Sequence, residues 1–215
     1  FGFGASNPIR AVNLVYQTDG MHFQANLPGE SIPDLSVPSF GDHMILNALP
    51  VIFLARKHGV SVPRIRESLS GFSAPAGRGK INQYPKGFCV IDETYNANPV
   101  SFKAALSAFS NIPFKRKILV FSDMLELGTS SRSLHQALAK QISSLSIDQI
   151  LYYGDFNDIL EPILQTTSRS YHYFPSLEAL EKAFFELVQP GDGVLMKASN
   201  GKALFRIIQH LEELA

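Results

Sequence analysis

The sequence has a single cysteine in 215 residues. That excludes an internal disulfide framework and a cysteine-rich zinc site, and it fits a reducing compartment. There is no surplus of charge: 19 Lys and Arg balance 19 Asp and Glu. Without a single-signed field there is no electrostatic footprint for nucleic acid or for an anionic membrane, so neither partner is expected. No apolar run approaches the roughly 20 residues that cross a bilayer. The longest, Leu46 to Ala55, is interrupted by Pro50. Internal repeats and low-complexity tracts are missing. So are a Gly-x-x-x-x-Gly-Lys-Ser/Thr phosphate loop and a Gly-x-Gly-x-x-Gly fingerprint after a strand. The chain opens on Phe1-Gly2-Phe3-Gly4, without a Met or a basic leader. That start leads us to expect a piece of a longer, cytoplasmic protein.

What is present is patterned for a globular α/β protein. Ala11 to Tyr16 and Met21 to Ala25 flank Asp19-Gly20, a hairpin signal because glycine accepts the backbone angles of the turn. Residues 26–41 are rich in Pro and Gly and read as loop, with a short strand at most. Ile45, Leu49, Ile52 and Phe53 recur at helical spacing between Asp42 and His58, and Gly59 stops that helix. A second helix is expected from Pro63 to Leu69, with Ser61 as its cap. Residues 71–80 hold three glycines and a proline and read as a linker or hinge. Beyond them strands and helices alternate. Strands are expected at 88–91, 117–121, 149–153, 171–174 and 193–197. Helices are expected at 99–110, 131–145, 157–164, 176–188 and 202–214. That alternation predicts a doubly wound, mostly parallel, Rossmann-like sheet, with helices on both faces. Ligands of such sheets bind outside the carboxyl ends of the strands.

The segments after the strands are therefore the candidate site. The first is Asp92-Glu93-Thr94-Tyr95-Asn96-Ala97-Asn98-Pro99. Two readings are open for it. It is a polar turn capped by Asn98, or it is a ligand loop in which Asp92 accepts hydroxyl groups and the amides bind a base or peptide. The second, Ser122 to Gly128, sets Asp123 at the crevice or uses it in a capped turn. The third, Lys197-Ala198-Ser199-Asn200-Gly201, holds an anion at a helix start or forms a tight turn. Arg78 lies between two glycines, which permits close approach of its guanidinium to phosphate; an exposed hinge arginine is the alternative. His22, His43 and His135 lack metal-ligand spacing, so no metal ligands are expected. Cys89 sits in an apolar strand and reads as core.

These loops resemble a known family. Asp92 to Pro99 is similar to the Asp-x-Ser/Thr-Tyr-Asn-Ala-Asn-Pro signature of the Mur ligases, in their MurF type. Asp123-Met124-Leu125-Glu126-Leu127-Gly128 resembles that family's Gly-Asp-Met-x-Glu-Leu-Gly loop, with Ser122 in place of the first Gly. His135 falls where the family often has a histidine. His43 with Asn47-Ala48-Leu49 resembles a His-Asn-x-x-Asn-Ala-Leu-Ala-Ala stretch, in which Met44 and Pro50 depart from the pattern. Arg78 matches the arginine of a Gly-Arg segment. Lys197-Ala198-Ser199 resembles Lys-Gly-Ser-Arg, with Asn200 replacing the arginine.

The resemblance implies that residues 1–76 end a central ATP-binding domain and that 77–215 form a C-terminal Rossmann-like domain. It implies ATP-driven amide formation between UDP-N-acetylmuramoyl-tripeptide and D-alanyl-D-alanine, by a monomer. Magnesium would be held by parts of the central domain that this chain does not include, and the chain alone would be inactive. His43, Asn47, Arg78, Asp92, Tyr95 and Asn96 would bind ATP, with Asn47 on adenine, Arg78 on phosphate and Asp92 on the ribose hydroxyls. Arg78 and Asp92 would be the catalytic pair. Asn96, Asn98, Asp123, Lys197 and Ser199 would face the peptide substrates. The alternatives are another Mur or folylpolyglutamate-like ligase, which would differ at Tyr95 to Pro99, and a non-catalytic binding module.

Overall fold

The hairpin expected at Asp19-Gly20 is present in the computed structural model, which describes residues 1–166 and 170–214. Strand β1 (Arg10–Gln17) turns through Thr18-Asp19 into β2 (Gly20–Leu27). Gly20 has φ +146°, and a Cβ there would run into the carbonyl oxygen of Val37. A third strand, β3 (Glu30–Val37), completes an antiparallel sheet of order β1-β2-β3. This corrects the loop expected over 26–41. Pro33 and Asp34 together stand opposite Gln24, because Phe23 pairs with Leu35 and Ala25 with Ile32. Such a bulge on an edge strand tolerates the proline, and Asp34 takes the left-handed φ of 56° that the extra residue needs.

Helices α1 (Asp42–Lys57) and α2 (Val62–Ser70) follow. Alternate residues of β2 (Met21, Phe23, Ala25) and helical-period residues of α1 (Ile45, Leu49, Ile52) meet in one core with Ile65 of α2. These elements lie in the first of two compact units, Phe1–Ala74 and Pro75–Ala215.

The second unit is built on a six-stranded sheet of order β4-β5-β9-β6-β7-β8. In chain order its elements are β4 (Lys80–Gln83), β5 (Cys89–Glu93), α3 (Pro99–Asn111), β6 (Arg116–Ser122), α4 (Ser131–Ser143), β7 (Gln149–Tyr153), α5 (Asn157–Leu164), β8 (Ser170–Phe174), α6 (Leu177–Leu187), β9 (Asp192–Lys197) and α7 (Phe205–Glu213). All neighbours are parallel except β4, which runs antiparallel to β5. Strand β4 was not expected from sequence; it starts at Lys80, the last residue read as linker. The last helix starts at Phe205 rather than at Lys202. A 3-10 turn over Asn200–Lys202 and a left-handed Ala203 (φ 57°) come first.

Val90, Val120, Val194 and Met196 pack with Leu180 and Phe184 of α6 and Ile207 and Leu211 of α7. The opposite face carries Phe121, which meets Phe102 of α3 edge to face. Both faces are thus covered, which is why the strands read as apolar runs. Burial pushes the Cys89 thiol up to about 12, so it is an inert core residue. The chain passes from β5 to β6, moves outward to β7 and β8, then returns to fill the gap with β9. That reversal sets the carboxyl ends of β5, β9 and β6 side by side, the place where such sheets take ligands. Among the described residues no helix is long and apolar enough to cross a membrane.

Candidate functional site

The loop after β5 is laced to the segment that precedes β4. Asp92 is only 2% exposed. Its Oδ2 accepts the Gly77 N–H at 2.7 Å, and its Oδ1 accepts the Thr94 N–H at 3.1 Å and the Thr94 hydroxyl at 2.6 Å. Main-chain bonds run alongside: Gly79 N–H to the Asp92 carbonyl at 2.8 Å, and Tyr95 N–H to the Gly77 carbonyl at 3.2 Å. Gly77 has φ +75°, and a Cβ there would lie 2.7 Å from the Tyr95 Cβ. Only glycine satisfies both conditions. Arg78, between the two anchored glycines, lays its guanidinium carbon 4.0 Å from the ring centroid of Tyr95. Both residues are exposed. An open cleft of about 250 Å³ beside them is lined by Asp92, Tyr95, Asn200 and α7 residues such as Phe205 and Gln209.

Asn98 caps α3. Its side chain accepts the Ser101 N–H at 2.8 Å, and Ser101 Oγ accepts the Asn98 N–H at 3.1 Å. The capping reading is thus present, on a residue that remains exposed. Asn96 is exposed, and its carbonyl accepts from Lys197 Nζ at 3.0 Å. Lys197 is fully buried at the end of β9 and pairs with Glu93 at 3.0 Å. Ser199 joins all three loops: its Oγ accepts the Leu125 N–H at 2.9 Å and donates to the Ala97 carbonyl at 3.4 Å. Its own N–H reaches the Asp123 carbonyl at 3.3 Å.

Asp123, at the end of β6, is also buried. Its carboxylate accepts from the Tyr152 hydroxyl and from the Asp155 N–H at 2.9 Å, and it pairs with Lys202 Nζ at 2.6 Å. Lys202 reaches Asp155 at 2.7 Å as well. Burial works against the charge on Lys202, but the two carboxylates outweigh it and raise its pKa. Burial, then the charge of Asp123, pushes the Tyr152 phenol up, so it stays a donor. Gly154 has no room for a side chain, since a Cβ would collide with Asp123 and lie 2.5 Å from the Tyr152 hydroxyl.

His135 of α4 props this loop from beneath. Its Nε2 accepts the Met124 N–H at 3.1 Å, and its Nδ1 donates to the Ser131 carbonyl at 2.7 Å. That pattern fixes one neutral tautomer. Burial lowers its pKa, and the ring stacks on Phe156 with centroids 4.0 Å apart.

In the first unit, His43 and Asn47 lie one turn apart on the exposed side of α1. Asn47 borders an apolar groove with Met44, Val51, Leu69 and Phe72. Within the second unit the structure brings Arg78, Asp92 and Tyr95 together. It gathers Asn96, Asp123, Lys197 and Ser199 at the neighbouring strand ends. The roles of Thr94, Glu93, Tyr152 and Lys202 escaped sequence reading, although Thr94 and Glu93 stand inside the recognised loop. Lys202 carries one signal: a lysine just after Asn-Gly at a helix start.

Residues 77–200 match the family described as Mur ligase, glutamate ligase domain. Over 217 residues the chain is 29% identical to a UDP-N-acetylmuramoyl-tripeptide–D-alanyl-D-alanine ligase of Bacillus subtilis, covering 99% of this chain and 47% of that one. A crystal structure of MurF from Acinetobacter baumannii superposes with a TM-score of 0.81 at 26% identity, covering 98% of this chain and 46% of that one. The MurF ligase of Thermotoga maritima, solved in complex with ADP, shares the fold with a TM-score of 0.77 at 22% identity, covering 100% and 49%. The chain therefore spans about half the length of the relatives it matches.

Proposed function

The chain belongs to the Mur ligase family, and on that premise we propose that the protein carrying it joins D-alanyl-D-alanine to a UDP-N-acetylmuramoyl-tripeptide during peptidoglycan precursor synthesis. Residues 1–76 would supply the end of its ATP-binding domain and 77–215 its C-terminal domain. The protein would act in the cytoplasm as a monomer. The observation that supports this best is the Asp92–Pro99 loop. It stands at the carboxyl end of β5, beside an exposed arginine stacked on an exposed tyrosine.

A free carboxylate resists attack by an amine because it offers no leaving group. The reaction uses ATP to turn the tripeptide's terminal carboxylate into an acyl phosphate, from which the dipeptide amine displaces phosphate. The chain's own residues orient the reactants and neutralise charge. Arg78 would offer its N–H edge to phosphoryl oxygens, with Tyr95 and Asn96 beside it. In the first unit Asn47 would pair with adenine, with His43 one turn away. Asp123, Lys197 and Ser199 would shape the peptide side through the loops they hold.

Magnesium does not fit the carboxylates of the second unit's crevice. Asp92 is taken by Gly77 and Thr94, Glu93 by Lys197, and Asp123 by Lys202 and Tyr152. Among the described residues no group of three or more His, Cys, Asp and Glu side chains could hold a metal ion.

The test is ligation by the complete protein. Phosphate release from ATP should require both the muramoyl tripeptide and D-alanyl-D-alanine, and mass spectrometry should find the pentapeptide product. Turnover with a single amino acid or a folate in their place, and none with the dipeptide, would replace this reading.

A further inference from the structure

Among the described residues, four that are not glycine take a left-handed φ. Asn13 and Asp34 sit at register shifts of the first sheet, and both are residue types that tolerate the conformation. The other two, Glu126 (φ 62°) and Ala203 (φ 57°), lie in the second unit, in the segments that leave β6 and β9 at their carboxyl ends. Ala203 ends the 3-10 turn and packs against the core. Glu126 has no such account. It is exposed, and among the described residues nothing pairs with its carboxylate.

The strain at Glu126 is held in place by its neighbours. His135 fixes the Met124 N–H at 3.1 Å, and Ser199 fixes the Leu125 N–H at 2.9 Å. A 3-10 turn begins two residues later, at Gly128. Strain that the surroundings over-determine in this way collects at binding and catalytic sites. Glycine would relieve it at no loss of internal contact, so the fold itself draws nothing from this side chain.

The other carboxylates at the ends of β5 and β6 are engaged within the chain. Asp92 accepts from Gly77 and Thr94 beside the open cleft, Glu93 pairs with Lys197, and Asp123 pairs with Lys202. Glu126 therefore brings an uncompensated negative charge to the rim where the loops after β5, β6 and β9 meet. In the ligation proposed above, the incoming dipeptide carries an ammonium on the nitrogen that is to be acylated.

We infer that Glu126 is a substrate-binding residue whose carboxylate receives the ammonium of D-alanyl-D-alanine. The inference deepens the ligase reading and rests on it. It gives the loop after β6 a contact with substrate in addition to its part in the scaffold.

The experiment is steady-state ligation by the complete protein, each substrate varied in turn, with melting temperatures alongside. The wild type is compared with Glu126→Gln, Glu126→Asp and Glu126→Gly. Glu126→Gln keeps the size and loses the charge, and should raise the KM for the dipeptide about tenfold. The KM values for ATP and the tripeptide should stay unchanged, and the gap should narrow as salt is added. Glu126→Asp keeps the charge on a residue suited to the left-handed angle, and should restore most of the binding. Glu126→Gly should move stability and binding in opposite directions: a higher melting temperature with a dipeptide KM raised as in Glu126→Gln. D-lactyl-D-alanine, with a hydroxyl in place of the amine, should inhibit the wild type and Glu126→Gln equally.

An unmoved dipeptide KM in both Glu126→Gln and Glu126→Gly would overturn the inference. So would weaker inhibition of Glu126→Gln by D-lactyl-D-alanine, or a lower melting temperature in Glu126→Gly with the KM of every substrate raised together, which would assign the residue to the fold. Failure of the wild type to ligate would instead overturn the ligase reading, and this inference with it, before any substitution is compared.

Discussion

Two aspartates end neighbouring strands of the same parallel sheet, and the chain treats them differently. Asp92 closes β5 and Asp123 closes β6; both are buried. Asp92 is satisfied by neutral donors, two N–H groups and a hydroxyl, drawn from its own loop and the segment before β4. Asp123 faces a cation, a phenol and an N–H, contributed by β7, the turn after it, and the turn before α7. The first is a local clamp, and the second ties distant pieces of chain. Carboxylates at strand ends are the obvious ligand candidates in an α/β crevice, and here each also holds scaffold donors, Asp92 beside the open cleft and Asp123 in a buried ion pair. What such a residue does depends on how many donors already surround it.

The sharpest way to break the contrast is Asp123→Asn. Removing one charge from a buried, hydrogen-bonded pair is costly, and it should lower the stability of the second unit by about 3 kcal/mol in denaturant unfolding. A loss below 1 kcal/mol would show that Lys202 is content with Asp155 alone. Gly77→Ala tests the other clamp. The left-handed φ and the approach to Tyr95 should together cost about 2 kcal/mol, with no change in denaturant m-value.

Acid sharpens the comparison further, because only the β6 loop leans on a histidine. Burial lowers the His135 pKa in the folded chain. The unfolded chain therefore binds more protons as pH falls below its ordinary value of about 6.5, and stability drops with pH from there through the folded value. Above that range the contribution is fully present. The histidine's share of the acid slope should vanish in His135→Gln. A slope unchanged by that substitution would assign the acid sensitivity elsewhere. The smallest effect belongs to Asn98→Ala, which removes a helix cap and should cost about 1 kcal/mol. No loss there would mean that Ser101 does not depend on the Asn98 side chain.

Much of the second unit could be read from sequence, because strands buried on both faces give continuous apolar runs. Gln149–Tyr153 and Asn157–Leu164 match their expected bounds. Strand β3 was hidden by Pro33 and Asp34, whose tolerance comes from a bulge that only the partner strand defines. Strand β4 is four residues, Lys-Ile-Asn-Gln, too short and mixed to show a period. At the site, the loop from Asp92 to Pro99 could be recognised, but its hydrogen-bond partners could not. Gly77 lies 15 residues before Asp92, and Ser199 lies 74 after Leu125. Composition and spacing say which polar groups reach a crevice; folding decides which of them remain unspent there.

Ser199 holds the rim of that crevice by one hydroxyl, which receives from the β6 loop and gives to the β5 loop. A single atom shared by three loops limits the ways they can fluctuate. The three loops should therefore breathe together rather than one at a time, with correlated amide exchange at Leu125 and Ser199.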